Sequence, residues 1–154
     1  MKTQVYRGFG KYFTIYLVII FFGCKHQEKS GTSTDSLGSC KSCDIIEVVN
    51  TEKNIAIVKE DQIERFLCVI KTECQNNVEF TEYSNEVLFM LIDKRTDLFF
   101  KVFSKAASIE KKYILFQIRN PLLDYNMDEL ILKVEKNNGD SIVKKQIISA
   151  LRNL

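Results

Sequence analysis

The residues of this chain best suited to chemistry are its cysteines. Four of them fall into two local pairs, Cys40 with Cys43 as C-x-x-C, and Cys68 with Cys74 across five intervening residues. A C-x-x-C pair can shuttle between dithiol and disulfide, with one thiolate as the attacking nucleophile. In thioredoxin-like folds that motif sits in a βαβ pattern, which is absent here. Four thiolates can also bind zinc, but the second pair is more widely spaced than structural zinc sites prefer. The remaining chemistry is structural, since an even set of cysteines in an oxidising compartment forms disulfides. Three connectivities are possible. The local pairing Cys40–Cys43 with Cys68–Cys74 is the expected one. Six residues of continuous helix rise about 9 Å, beyond the roughly 7 Å that a bridge allows between Cα atoms. A Cys68–Cys74 bridge therefore requires a helix to end near Lys71. The main rival joins one N-terminal cysteine to Cys74 and closes a longer loop.

Other candidate groups are weaker. Ser108–Lys111 and Ser141–Lys144 match S-x-x-K, the serine-nucleophile motif of penicillin-binding enzymes, without S-D-N or K-T-G beside them. Both serines stand where helix caps or first turns belong. Glu82 and Glu86 share a helical face and, with Glu79, make an acidic cluster best read as a solvated surface. His26 is the only histidine, so a hydrolytic triad has no second one to draw on, and its polar surroundings make it a linker residue. There is no glycine-rich phosphate loop and no H-E-x-x-H. No catalytic residue, metal or cofactor is expected.

The elements that position these groups begin with an address. Lys2, Arg7 and Lys11 precede the uncharged apolar run Tyr12–Phe22, which ends in Gly23–Cys24. A run of about 11 residues suits a signal-peptide core and is short of the roughly 20 needed to span a bilayer. The four residues Phe21, Phe22, Gly23 and Cys24 resemble the junction of a bacterial lipoprotein precursor, with Phe21 replacing the usual leucine-like residue. The resemblance covers only the first two dozen residues. It implies cleavage before Cys24 and a diacylglycerol thioether on its sulfur, with the new amino group open to further acylation. It places the mature chain in the cell envelope, held to a bilayer by acyl chains. An ordinary secreted protein and an uncleaved N-terminal anchor are the alternatives.

Removing residues 1–23 takes away three basic residues and no acid, so 22 basic residues become 19 against 20 acidic ones, a net charge of −1. The basic character of the whole chain belongs to the leader, which disfavours nucleic acid as a partner. Residues 24–39 are polar and rich in small residues, the composition of a disordered tether. One folded domain, residues 40–154, follows.

That domain reads as all-α, a compact array of about five to six short helices packed antiparallel, with armadillo- or HEAT-like stacking as an analogy that no sequence repeat supports. Residues 44–58 fit either a hairpin or a short helix with Ile45, Ile46 and Val49 on one face, and the helix is preferred. Asp61 with Glu64 forms a capping box before the stripe Ile63, Phe66, Leu67, Ile70. Val87–Ile92, VLFMLI, has no wet face and marks the central helix. Thr96 caps a helix with Leu98, Phe99, Val102 and Phe103 inward. Ser108 caps the next, with Ile109, Tyr113, Phe116 and Leu115 inward, stopped at Asn120–Pro121. Asn126 with Glu129 caps Met127, Leu130, Ile131 and Val134, and Asp140 caps Val143, Ile147 and Leu151.

Three functions follow from this reading. The preferred one is a non-catalytic envelope lipoprotein acting on an unidentified protein partner as an adaptor, inhibitor or scaffold. Its expected mark is a patch of exposed aromatics, with Phe99, Phe100 and Phe103 as candidates. The alternatives are a thiol oxidoreductase or redox sensor using Cys40 and Cys43, and a carrier of a small apolar ligand in a pocket lined by VLFMLI.

Overall fold

The computed structural model describes residues 40–152. The signal segment, Cys24, His26 and the tether lie outside the described residues. Seven α-helices make up the described domain, and no strand occurs among its residues. They are α1 (Ile45–Lys53), α2 (Glu60–Val69), α3 (Val78–Lys94), α4 (Thr96–Lys105), α5 (Ser108–Arg119), α6 (Met127–Lys136) and α7 (Ser141–Arg152). A short 3-10 turn, Thr72–Asn76, precedes α3. The class is the expected one, with slightly more helices than five to six. None of the described helices is long and apolar enough to cross a membrane.

The run Val87–Ile92 sets the plan. Val87, Leu88, Phe89, Leu91 and Ile92 are fully buried, and burial of such a side chain contributes about 1.5–3 kcal/mol. Helix α3 is enclosed by α1, the 3-10 turn, α4, α5 and α6, while α7 packs on α5, α6 and α4. The helix ends are set by local chemistry. Asp44 accepts the Ile46 N–H at 3.0 Å, starting the helix that the β-branched run DIIEVV left open. Asn77 accepts the Phe80 N–H at 3.1 Å, and Asn126 accepts the Glu129 N–H at 3.2 Å. Asp140 accepts from Ile142 and Val143. At Gly139 a Cβ would stand 2.7 Å from the Asn137 side-chain oxygen and 3.0 Å from the Phe100 ring, so a larger residue between α6 and α7 would have to displace the Asn137 side chain.

Several boundaries differ from the sequence expectation. Asp61 is not a cap; α2 already begins at Glu60, and Asp61 pairs with Arg65 at 3.0 Å instead. Thr96 lies inside α4 and donates its hydroxyl to the Ile92 carbonyl at 2.7 Å. Ala107 rather than Ser108 caps α5, and the Glu110 carboxylate accepts the Ala107 N–H at 3.0 Å. Helix α1 buries Val48 and Thr51, leaving Ile45 and Ile46 exposed. Phe99, Phe100 and Phe103 are all buried, so they form no exposed aromatic patch. Phe100 goes inward and lies against Gly139 in the turn between α6 and α7, a contact that the periodicity of α4 alone does not reveal.

The cysteine pairing also differs from the preferred expectation. Cys40 pairs with Cys68 and Cys43 with Cys74, with Cα separations of 6.1 and 5.6 Å. Helix α2 does end near Lys71, as a local bridge would require. The deciding geometry is that α1 and α2 fold back on each other, which returns Cys68 to Cys40. The Cys43 N–H donates to the Val69 carbonyl at 3.0 Å, and Cys43 takes a left-handed backbone with φ 58°. The bridges close 28 and 31 residues of chain, each worth about 3.5 kcal/mol in the loop-entropy model, against about 2 for the local pairs. Peptide mapping without reduction is expected to recover these two links. The pair of substitutions Cys40→Ala and Cys68→Ala should lower unfolding free energy in urea by about 3 kcal/mol.

Candidate functional site

The groups singled out for chemistry are dispersed. Cys40 and Cys43 each bond a different partner rather than each other, and Cys74 is buried. In this oxidised form the four-thiolate zinc alternative has no free ligands. No group of His, Cys, Asp or Glu among the described residues is placed to hold a metal. Lys111 donates to the Ser104 carbonyl and Lys144 to the Glu135 carbonyl, so neither lysine serves its S-x-x-K serine. Glu79 and Glu82 are exposed and Glu86 half-buried. Of VLFMLI, Phe89 and Met90 reach a cleft of about 230 Å³ beside Tyr125, while the other four side chains belong to the packed core. Tyr125 stacks on Phe89 at 4.3 Å, and its hydroxyl is buried without a hydrogen-bond partner.

A cleft of about 550 Å³ lies where the α3–α4 turn meets the end of α6. Several of its polar groups are already engaged. Asp93 pairs with Lys133, Asn137 donates to Asp97, and Arg95 donates to the Ala56 carbonyl.

Helix α5 carries the feature left unanswered by the core. Its buried side is Tyr113, Ile114, Gln117 and Ile118. Ile109 and Phe116, expected inward with Tyr113, are instead 70% and 46% exposed. The spacing 109, 113, 116 is a helical stripe, so the apolar arc of α5 is wider than the arc the core covers. Tyr113 and Phe116 stack at 6.1 Å, which ties the exposed ring to the buried one. Lys112 and Arg119 fall beside Ile109 and Phe116 by helical spacing, are exposed, and make no ion pair among the described residues. The stripe borders a groove of about 370 Å³ whose other wall is Ile70–Glu73. That wall lies between Cys68 and Cys74, so both bridges anchor the N-terminal segment within a few residues of the groove.

A buried polar network fixes this face. Asn85 donates to the Gln117 carbonyl at 3.0 Å, the Gln117 side-chain oxygen at 3.2 Å and the Asn120 carbonyl at 3.3 Å. Its own oxygen accepts the Leu122 N–H at 3.1 Å. Gln117 donates to the Tyr113 hydroxyl at 2.8 Å, and Gln75 of the 3-10 turn bonds the same hydroxyl. Burial pushes the Tyr113 pKa up, opposed by those bonds. The network holds α5 and the following turn, whose Leu122 and Leu123 are exposed, against α3. Sequence reasoning passed over Asn85 because an asparagine inside an apolar helix has no periodic signature. It misplaced Ile109 and Phe116 because core and surface stripes look alike at 3.6-residue spacing.

Two tyrosines sit in strongly perturbed surroundings. Tyr83 donates to the Glu52 carboxylate, and that bond, then burial and nearby negative charge, push its pKa up to about 12. Burial, and then the charge of Glu86, push the Tyr125 pKa up to about 12.

No family model matches the chain, and comparison with curated proteins and with solved structures returns no match.

Replacing Asn85 by Leu is expected to cost about 2 kcal/mol in urea unfolding, since it leaves the Leu122 N–H without its acceptor and removes the amide bonds to the Gln117 and Asn120 carbonyls. Both raised tyrosine values exceed the ordinary 10.0, so the folded state holds phenolic protons that the unfolded chain releases. Their stabilisation is full below pH 10 and falls as pH rises from about 10 to about 12. Urea unfolding across that range, with tyrosinate absorbance followed in parallel, checks the sign. Replacing both tyrosines by Phe should flatten the fall.

Proposed function

We propose that the chain is a cell-envelope lipoprotein that works by surface contact rather than catalysis. On this reading the leader is removed before Cys24, acyl chains on Cys24 hold the protein to a bilayer, and residues 25–39 tether the helical domain. The domain serves an adaptor, inhibitor or scaffold role toward a protein, and the exposed stripe of α5 is one of its contact surfaces. The observation that carries the reading is the apolar arc of α5, which leaves Ile109 and Phe116 exposed on one face, continued by the exposed Leu122 and Leu123 just past the helix end.

Thiol exchange is the second reading. What weighs against it is that its two cysteines are separately bridged, one of them to a buried partner. A structural bridge has a reduction potential below about −300 mV, whereas an exchange site lies much higher. The carrier reading has less support, since most of the apolar run is packed against other helices.

Labelled palmitate should enter the chain in a bacterial host, and intact mass should report loss of residues 1–23 together with the added acyl groups. Cys24→Ser should abolish labelling and move the protein out of the membrane fraction. Unchanged fractionation of Cys24→Ser would overturn the anchor. Ile109→Ser with Phe116→Ser should change unfolding free energy by only about 0.5 kcal/mol per site, since neither side chain is buried.

A further inference from the structure

The face left open on α5 combines two properties. Ile109 and Phe116 project apolar surface, and Lys112 and Arg119 interleave with them at spacings of three and four residues. An exposed helix face that alternates bulky apolar and basic residues suits an interface where hydrocarbon meets negative charge. The exposed Leu122 and Leu123 extend the apolar surface beyond the helix end. Acids are present at the margins: Glu73 and Glu110 line the groove, with Glu110 engaged in capping α5, and Asp124 follows Leu123. None of them falls on the 109–112–116–119 face.

The second observation is where the chain enters the domain. Cys40 is the first described residue, and it is stapled to Cys68, while Cys43 is stapled to Cys74. The segment between Cys68 and Cys74 is the groove wall that faces Ile109 and Tyr113. Covalent bonds therefore fix the start of the domain beside the α5 face. Only 15 residues separate Cys24 from Cys40, a span of at most about 55 Å when fully extended.

We propose that the α5 face formed by Ile109, Lys112, Phe116 and Arg119 docks on the anionic phospholipid surface to which the chain is tethered. The proposal rests on the lipoprotein reading of Cys24. A face this small binds weakly by itself. The tether makes its encounter with the bilayer intramolecular, which raises the effective concentration of the surface. Basic side chains then meet the headgroups, and Phe116 enters the boundary between headgroup and acyl chain. Docking would lay the domain down with α5 toward the lipid and leave its other helices open to a protein partner.

The chain contains no tryptophan, so a single introduced Trp reports its own surroundings. Phe116→Trp and, as a reference on another helix, the exposed Leu132→Trp are made in the full acylated chain. Each is reconstituted into vesicles of phosphatidylethanolamine and phosphatidylglycerol that contain a spin-labelled lipid. Vesicle flotation reports the anchor, and Trp quenching reports the face. Circular dichroism and the two disulfide links confirm that both variants are folded. The expected result is flotation of both proteins, with a blue-shifted, strongly quenched Trp at 116 and a weakly quenched one at 132. Adding Lys112→Glu and Arg119→Glu to Phe116→Trp should remove the blue shift and the extra quenching while flotation persists. Flotation with equal quenching at both positions overturns the docking and leaves the anchor standing. Quenching at 116 that survives both charge reversals overturns the role assigned to the basic residues. Loss of flotation in both proteins overturns the anchor and the docking with it.

Discussion

The requirement that most shapes this domain is to surround one helix on every side. Val87–Ile92 offers water no polar face, and each of its large side chains favours burial by about 1.5–3 kcal/mol. A helix of this kind cannot lie on a surface. It is buried only if other helices approach from several directions, and in this chain α1, α4, α5, α6 and the 3-10 turn do so. All five neighbours are short, because short elements can be arranged around a rod of 17 residues without leaving gaps. Asn85 is a polar exception near the N-terminal side of the run. It is tolerated because its amide is bonded on both sides, and it uses that position to fasten the end of α5.

The N-terminal part of the domain answers a different problem. Helix α1 has nine residues, and α2 has ten. Neither is long enough for local propensity to hold it in place. Ion pairs help little, since Arg65–Glu47 between them is partly exposed and worth at most about 1 kcal/mol. The two disulfides supply the missing constraint. Because they interleave, they fix the start of α1 against both the end of α2 and the 3-10 turn, and the left-handed backbone at Cys43 is held within that clamp. The position at which any tether joins the domain is consequently set by covalent bonds.

Much of this architecture was legible in the residues, and the parts that were not share a physical reason. Caps such as Asn126 and Asp140 act within three residues, so the sequence shows them directly. The stripes of α2, α6 and α7 identify buried faces because one helix face is wet and the other is not, and the all-apolar run of α3 identifies a helix with no wet face at all. The disulfide partners were hidden, since pairing depends on how α1 returns against α2 rather than on spacing. The same holds for Phe100, which is buried and lies against Gly139, some 40 residues later in the chain. In each case the determining contact is long-range and leaves no local trace.

Helix α5 is where these two kinds of information collide. Its sequence carries apolar residues around more than half its circumference, and the stripe Ile109–Tyr113–Phe116 is as regular as any core stripe. The neighbouring helices have room to cover only the side centred on Ile114 and Ile118, so Tyr113 is shared and its two partners remain outside. Exposed residues of this size carry no benefit for folding. They share their face with Lys112 and Arg119, which make no ion pair among the described residues. The chemistry-bearing groups are partly committed, since the four cysteines are bridged and Asp93–Lys133 and Asp97–Asn137 are bonded within the cleft at the α3–α4 turn. What the domain has left to offer is surface, and the proposed binding role follows from that remainder.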